Sequence, residues 1–105
     1  MIEQFLEKHL VKGLLRVAIL YIIGKTSMYG YQIYKLIKKC VYDKISLSTL
    51  YTILKELEKL GLIYRVGLKY HISEKGVEVF KKIMEKYPFI IIFLTNKLDF
   101  YLLNR

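Results

Sequence analysis

The stretch SLSTLYTILKELEKLGLI, residues 46–63, carries a helix start, a helix and a helix stop in one reading. Ser46 is the expected N-cap, its hydroxyl available to an orphan N–H of the first turn. Leu47, Leu50, Ile53, Leu54, Leu57 and Leu60 recur at spacings of three and four, which predicts one buried face. Gly61 predicts a left-handed cap at the C-terminal end. Counting 100° per residue from Leu50, the side chains of Ser48, Tyr51, Thr52, Lys55 and Lys59 fall at roughly 100–200°. That exposed stripe is hydroxyl-bearing and basic, with Glu58 and Glu56 on its two shoulders.

Upstream, residues 2–23 carry apolar side chains at mostly helical spacing, and Gly13 predicts a division into an arm and a body. Gly24 to Ser27 read as a turn. A second helix is expected from Tyr29 or Gly30 to Lys39, with Ile33, Leu36, Ile37 and Cys40 on its inner face. Tyr31, Lys35 and Lys38 then face outward. Downstream the period changes from helical to alternating. Residues 62–66 and 68–73 predict two short strands joined through Gly67, which suits the first central position of a type II′ turn. That loop pairs Val66 with Lys69, Arg65 with Tyr70, Tyr64 with His71 and Ile63 with Ile72. Ser73 caps a fourth helix carrying Val77, Phe80, Ile83 and Met84, and Pro88 interrupts it or begins a fifth.

Helix, turn, helix, glycine, hairpin, helix is the order of a winged helix-turn-helix: mainly α with a small β-hairpin, an α+β class. One helix must be narrow enough for the major groove while another crosses the backbone. The expected DNA-binding residues are Tyr31, Lys35 and Lys38 on the second helix and Arg65 and Lys69 on the hairpin. The third helix adds Ser46, Ser48, Thr49, Tyr51, Thr52, Lys55 and Lys59. Charge agrees with this placement. The chain of 105 residues carries a net charge of +9. Residues 25–72 hold nine Lys and Arg against three Asp and Glu, so most of the excess lies around these elements. An anionic partner, duplex DNA first, is the expectation.

Three strings extend the pattern: MYGYQIYKLIKK, then SLSTLYTILKELEKLGLI, then KYHISEKG. Together they resemble the PadR family of winged-helix regulators and, more distantly, MarR-like regulators. The resemblance rests on Gly30-Tyr31, Thr49-Leu50-Tyr51, Leu57-Glu58, Gly61-Leu62-Ile63 and the run from Tyr70 to Gly76, and covers about two thirds of the chain. It implies a dimeric repressor whose terminal helices build the interface, and it leaves room for a small-molecule effector between subunits with no residue assigned to it. The wing here is shorter and less charged than the family's, and Ser73 replaces a frequent Thr while keeping the capping hydroxyl.

Hydrophobic residues make up 54% of the chain, more than so small a monomer should need. A subunit interface absorbs such an excess, since it resembles a core cut in two. Phe89 to Leu94 are consecutive apolar positions that cover more than a full helical turn. The expected homodimer interface therefore comprises Phe5, Leu6 and Leu10 from the first helix with Phe89, Ile91, Ile92, Phe93, Leu98, Phe100 and Leu102 from the last. The whole chain, residues 1–105, reads as one winged-helix domain with the N-terminal arm and residues 87–105 as its dimerisation region. Its DNA site would be an inverted repeat.

Other chemistries find little support. His9 and His71 lack a companion cluster, so no metal is expected. No nucleophile-and-base set or phosphate loop is visible, so neither an enzyme nor a cofactor is expected. Cys40 shares the phase of Ile33 and Ile37 and reads as a small hydrophobe rather than a redox sensor. Glu3 and Glu7 stand where a secretory signal would be basic, and no apolar run reaches the ~20 residues of a membrane span. The expectation is a cytoplasmic protein without membrane contact. Two readings of other kinds stay open: a sequence-neutral, chromatin-like DNA binder, and a helical protein-interaction module whose basic stripe is only solvated. Salt dependence of DNA binding separates them.

Overall fold

A computed structural model describes residues 1–104. Its first helix, α1, runs unbroken from Ile2 to Lys25. Gly13 does not divide it: the position is exposed, and an isolated helix glycine costs only about 1 kcal/mol relative to Ala. The C-terminal half of α1 is the centre of the molecule, with Leu15, Ala18, Ile19, Ile22 and Ile23 buried. Residues 2–10 are exposed along their whole length.

Strand β1, Met28–Tyr29, follows, where the sequence predicted only a turn and a helix start. Helix α2, Gly30–Cys40, buries Ile33 and Ile37, with Leu36 and Cys40 half-buried beside them. Helix α3 spans Leu47–Lys59. Ser46 caps it, its Oγ accepting from the Thr49 N–H at 3.1 Å. At the other end the Leu62 N–H donates to the Leu57 carbonyl and the Gly61 N–H to the Glu58 carbonyl, with Gly61 at φ 78°. That is a Schellman closure. Leu50, Ile53, Leu54 and Leu57 are buried as expected, whereas Leu47 and Leu60 are exposed. They occupy the two ends of the helix.

Strands β2, Ile63–Val66, and β3, Lys69–Ile72, pair in the predicted register, from Ile63 opposite Ile72 to Val66 opposite Lys69. Gly67 has φ 64° and Leu68 has negative φ, which is the sign pattern of a type II′ turn. Strand β1 adds to the free edge of β3, giving an antiparallel sheet of order β1-β3-β2. Helix α4, Glu74–Lys86, is capped by Ser73, and α5, Phe89–Leu103, starts at Pro88.

Ser73 also locks two elements together. Its Oγ accepts from the Gly76 N–H at 3.0 Å and donates to the Gly61 carbonyl at 2.6 Å, while Lys75 Nζ reaches the Leu60 carbonyl at 2.9 Å. The orphan carbonyls at the end of α3 are thereby satisfied by the start of α4. Gly76 permits this approach, because a Cβ there would stand 2.1 Å from the Leu62 carbonyl oxygen. The result, among the described residues, is a winged helix-turn-helix of five helices and one small sheet. Among the described residues no helix is long and apolar enough to cross a membrane.

Candidate nucleic-acid interface

Helix α3 turns its apolar face into the core against α2 and leaves Ser48, Tyr51, Thr52, Lys55 and Lys59 exposed. Thr52 Oγ1 donates to the Ser48 carbonyl at 3.0 Å. Thr52 therefore offers lone pairs and a methyl outward, beside the Ser48 and Tyr51 hydroxyls, which can donate and accept, and two lysine ammonium groups.

On one side of the ridge lies a cleft of about 310 Å³ lined by Tyr29, Tyr31, Tyr51, Arg65, Leu68 and Tyr70. It joins the start of α2, the ridge and the wing. Gly30 forms its floor: a Cβ there would lie 2.6 Å from the Tyr51 hydroxyl oxygen. Arg65 is already engaged, 3.3 Å from Glu58 and over the Tyr70 ring. Burial pushes the Tyr70 phenol above its usual range, with Arg65 pulling the other way and Glu58 adding to the rise. Tyr70 thus stays a neutral wall beneath Arg65.

On the other side Thr49 and Thr52 border a groove whose far wall is α1, through Lys12 and Arg16. Arg16 binds Glu56 at 2.6 Å and the Lys12 carbonyl at 2.7 Å. Ser46 Oγ donates to Thr49 Oγ1 at 2.8 Å, so both hydroxyls serve the cap first. Sequence reasoning missed the α1 residues, although Lys8, Lys12 and Arg16 recur every four positions. It also missed Tyr29 and Leu68.

The remaining expected residues are more dispersed. Lys38 Nζ donates to the Asp43 carbonyl at 2.7 Å and pins the α2–α3 connection. Lys35 lines a recess with Gln32, Lys39 and Tyr101, on the α5 side of α2. Lys69 stands exposed on β3.

The expected interface residues separate into three groups. Phe5, Leu6 and Leu10 on α1, and Phe89, Ile92 and Phe100 on α5, are exposed. Ile91, Phe93 and Leu102 are half-buried against the chain's own core. Leu98 was expected at the interface and is instead fully buried, beside Leu94, in the chain's own core. Because α5 is apolar nearly all round, its sequence does not disclose which side faces inward. Tyr21 on α1 donates a short hydrogen bond to Asp99 and orients the helix.

Cys40 is half-buried, and burial pushes its thiol up despite the opposing pull of Lys39 and Lys97. Such a thiol is a poor nucleophile. Among the described residues no group of His, Cys, Asp and Glu could hold a metal ion.

Comparison with known proteins agrees with this architecture. The family model described as "Transcriptional regulator PadR-like family" matches residues 19–82. A PadR-like transcriptional regulator from Bacillus cereus strain ATCC 14579 is similar at 27% identity and a TM-score of 0.68. The match covers 84% of this chain and 94% of that one. A transcriptional regulator from Clostridium thermocellum is similar at 25% identity and a TM-score of 0.63, over 84% of this chain and 93% of that one. A PadR family transcription regulator from Clostridium difficile R20291 shares the fold at 23% identity and a TM-score of 0.61, over 78% and 94% of the two chains. Comparison with curated proteins finds no match. The family match spans more than half of the chain, so this protein belongs to the PadR-like family of transcriptional regulators, which bind DNA and are not enzymes.

Proposed function

We propose that the protein binds double-stranded DNA sequence-specifically, as a homodimer over an inverted repeat, and represses transcription from that site. One observation supports this reading above the others: the ridge of Ser48, Thr52 and Lys55 faces outward between two walls that both carry cations. A major groove about 12 Å wide admits such a helix, and its two rims are phosphate backbones.

Base edges fall to Ser48, Tyr51 and Thr52. Thr52 has committed its hydroxyl hydrogen to Ser48, so it offers lone pairs and a methyl outward. It suits the exocyclic amine of adenine or cytosine, or the thymine methyl. In this reading Tyr31, Lys55, Lys59 and Lys69 hold phosphates, which fix position without reading sequence. Lys35 and Lys38 extend that hold along α2.

Dimerisation is supported by α5. Phe89, Ile92, Phe100 and Leu103 lie within an arc of about 80° on its outer side, opposite the buried Leu94 and Leu98. An exposed apolar stripe of that kind marks an association surface. Two recognition helices must then lie about 34 Å apart on one face of the duplex. A dimer seated there blocks other proteins from the same DNA, which is repression in its simplest form. A cytoplasmic location follows from this partner.

Selection of bound duplexes from a random pool tests the whole reading. An enriched inverted repeat with half-sites one turn apart is expected. Retention of duplexes with no common motif would overturn sequence specificity.

A further inference from the structure

We propose that a second basic wall, formed by α1 and the α2–α3 connection, grips the DNA backbone on the side of α3 opposite the wing. The proposal rests on the DNA-binding reading above and extends its footprint to residues that nothing in the wing or the recognition helix implies.

A groove of about 360 Å³ runs between α1 and the segment leading into α3. Lys8 and Lys12 line it from α1, Lys44 from the connection, and Ser46 and Thr49 from the start of α3. Glu7 is the one carboxylate there. All three lysines are exposed, and among the described residues none of them forms an ion pair. Arg16, one turn beyond Lys12, is by contrast held by Glu56. Like charges at i,i+4 destabilise a helix, so Lys8 and Lys12 are a burden in the free protein that an anion would relieve.

The position of the groove selects the anion. Lys12 and Thr49 also border the neighbouring groove beneath Thr52, so the lysine wall is continuous with the α3 ridge. The wing and Tyr31 can reach only the backbone on their own side of the ridge. A helix in the major groove has a backbone on each side, and Lys8, Lys12 and Lys44 are the cations facing the other one. The same helix can still serve a partner subunit. Lys8 and Lys12 lie within about 40° of each other on α1, with Phe5 on their side at about 60° from Lys8, whereas Leu6 and Leu10 lie about 160–200° away from Lys8 and are the side left to a partner.

The test compares the full chain with the triple variant Lys8→Gln, Lys12→Gln, Lys44→Gln on a selected duplex and on a scrambled one. Thermal melting checks that the variant is folded. Loss of three phosphate contacts in each of the two subunits should make the slope of log affinity against log salt shallower by about 5.4 per dimer, at about 0.9 per contact. Affinity near 0.15 M salt should fall more than tenfold on both duplexes alike. Lys12→Arg should restore the contribution of Lys12. If the triple variant does not fold, the single variants Lys8→Gln and Lys44→Gln should each lower the slope by about 1.8 per dimer, one contact in each subunit. Replacing phosphates by neutral methylphosphonates on the rim opposite the wing should weaken the wild type and leave the triple variant unchanged. An unaltered slope, in a wild type that binds duplex DNA, would overturn the second wall and leave the DNA-binding reading standing. Loss of binding only on the selected duplex would make these lysines readers and overturn their assignment to the backbone. A wild type that binds no duplex would overturn both.

Discussion

Tyr51 of the recognition helix rests on Gly30 at the start of α2, with no room for a Cβ between them: one placed there would lie 2.6 Å from the phenol oxygen and 2.8 Å from two ring carbons. The glycine-tyrosine pair that opens α2 thus positions an aromatic ring of α3 beside the wing. Gly30→Ala is expected to preserve the fold, because the atoms displaced are the far end of a side chain that can swing outward, and Ala favours a helix by up to about 1 kcal/mol. Its effect should appear on DNA. A misplaced Tyr51 should weaken specific binding by about 1–3 kcal/mol, as a lost base contact does, and Tyr51→Ala should match it. Parallel melting and binding curves check this, and full affinity in Gly30→Ala would mean that the ring's position is unimportant.

Gly76 should behave in the opposite way. A Cβ there meets the Leu62 carbonyl oxygen at 2.1 Å, and backbone cannot swing aside. Gly76→Ala is expected to cost about 1–3 kcal/mol or more from overpacking. Each kcal/mol lowers the melting temperature of a domain this size by roughly 4–8 °C. Ser73→Ala should cost about 1 kcal/mol for the cap alone, and somewhat more because the Gly61 carbonyl loses its donor. Thermal unfolding of both variants measures the strength of the α3–α4 lock.

How far the sequence discloses all this depends on the range of the interactions. The register of β2 and β3 was legible because a two-residue loop leaves one pairing that keeps Ile63 and Ile72 inward. The caps at Ser46 and Ser73 were legible because each bonds three residues ahead. Strand β1 was not, since two residues carry no period and its partner Tyr70 lies far along the chain. Nor was the wall that α1 offers to α3: Arg16 and Glu56 stand 40 positions apart, and only the fold brings them together. Leu98 was misread for another reason. In a helix that is apolar all round, hydrophobicity has no phase.

Reading and positioning should separate by mutation. Ser48→Ala and Thr52→Ala are expected to weaken binding to the selected sequence by about 1–3 kcal/mol while leaving non-specific binding nearly unchanged. Lys59→Ala and Lys69→Ala should weaken both alike and lower the salt slope by about 1.8 each per dimer, one contact in each subunit. Competition assays with selected and scrambled duplexes distinguish the two classes. Equal losses from all four variants would mean that the ridge reads no bases.

Alkaline pH should loosen the attachment of α5 to α1. Burial, then the hydrogen bond to Asp99 and its charge, hold the Tyr21 phenol well above its usual range. An unfolded tyrosine titrates near about 10. Above that pH the folded state retains a proton that the unfolded state releases. The contribution is therefore complete below pH ~10 and lost as pH rises toward the folded value. Urea unfolding at neutral pH and above pH ~10 should show this decline. Tyr21→Phe should be less stable at neutral pH by about 1 kcal/mol for the lost hydrogen bond, yet decline less steeply. Some decline should persist, because burial also raises Tyr70. An identical pH profile in wild type and Tyr21→Phe would show that Tyr21 does not govern it.

The two sides of α5 should give opposite mutant behaviour, and the contrast tests the dimer. Leu98 is fully buried while Ile92 and Phe100 are 61% and 66% exposed. Removing side-chain volume at Leu98 attacks the fold of each subunit: Leu98→Ala should cost about 2–5 kcal/mol, as large-to-small core changes do. Placing charge on the outer stripe attacks only association. Ile92→Glu and Phe100→Glu should each leave a folded monomer, since water solvates the new carboxylate where no partner covers it. Those monomers should lose tight binding to the inverted repeat and keep weak binding to a half-site, because their recognition ridge is intact. Light scattering beside DNA titration reads both effects. If the wild type is a monodisperse monomer that binds a single half-site with full affinity, then the stripe of Phe89, Ile92, Phe100 and Leu103 serves some purpose other than pairing two copies of the chain.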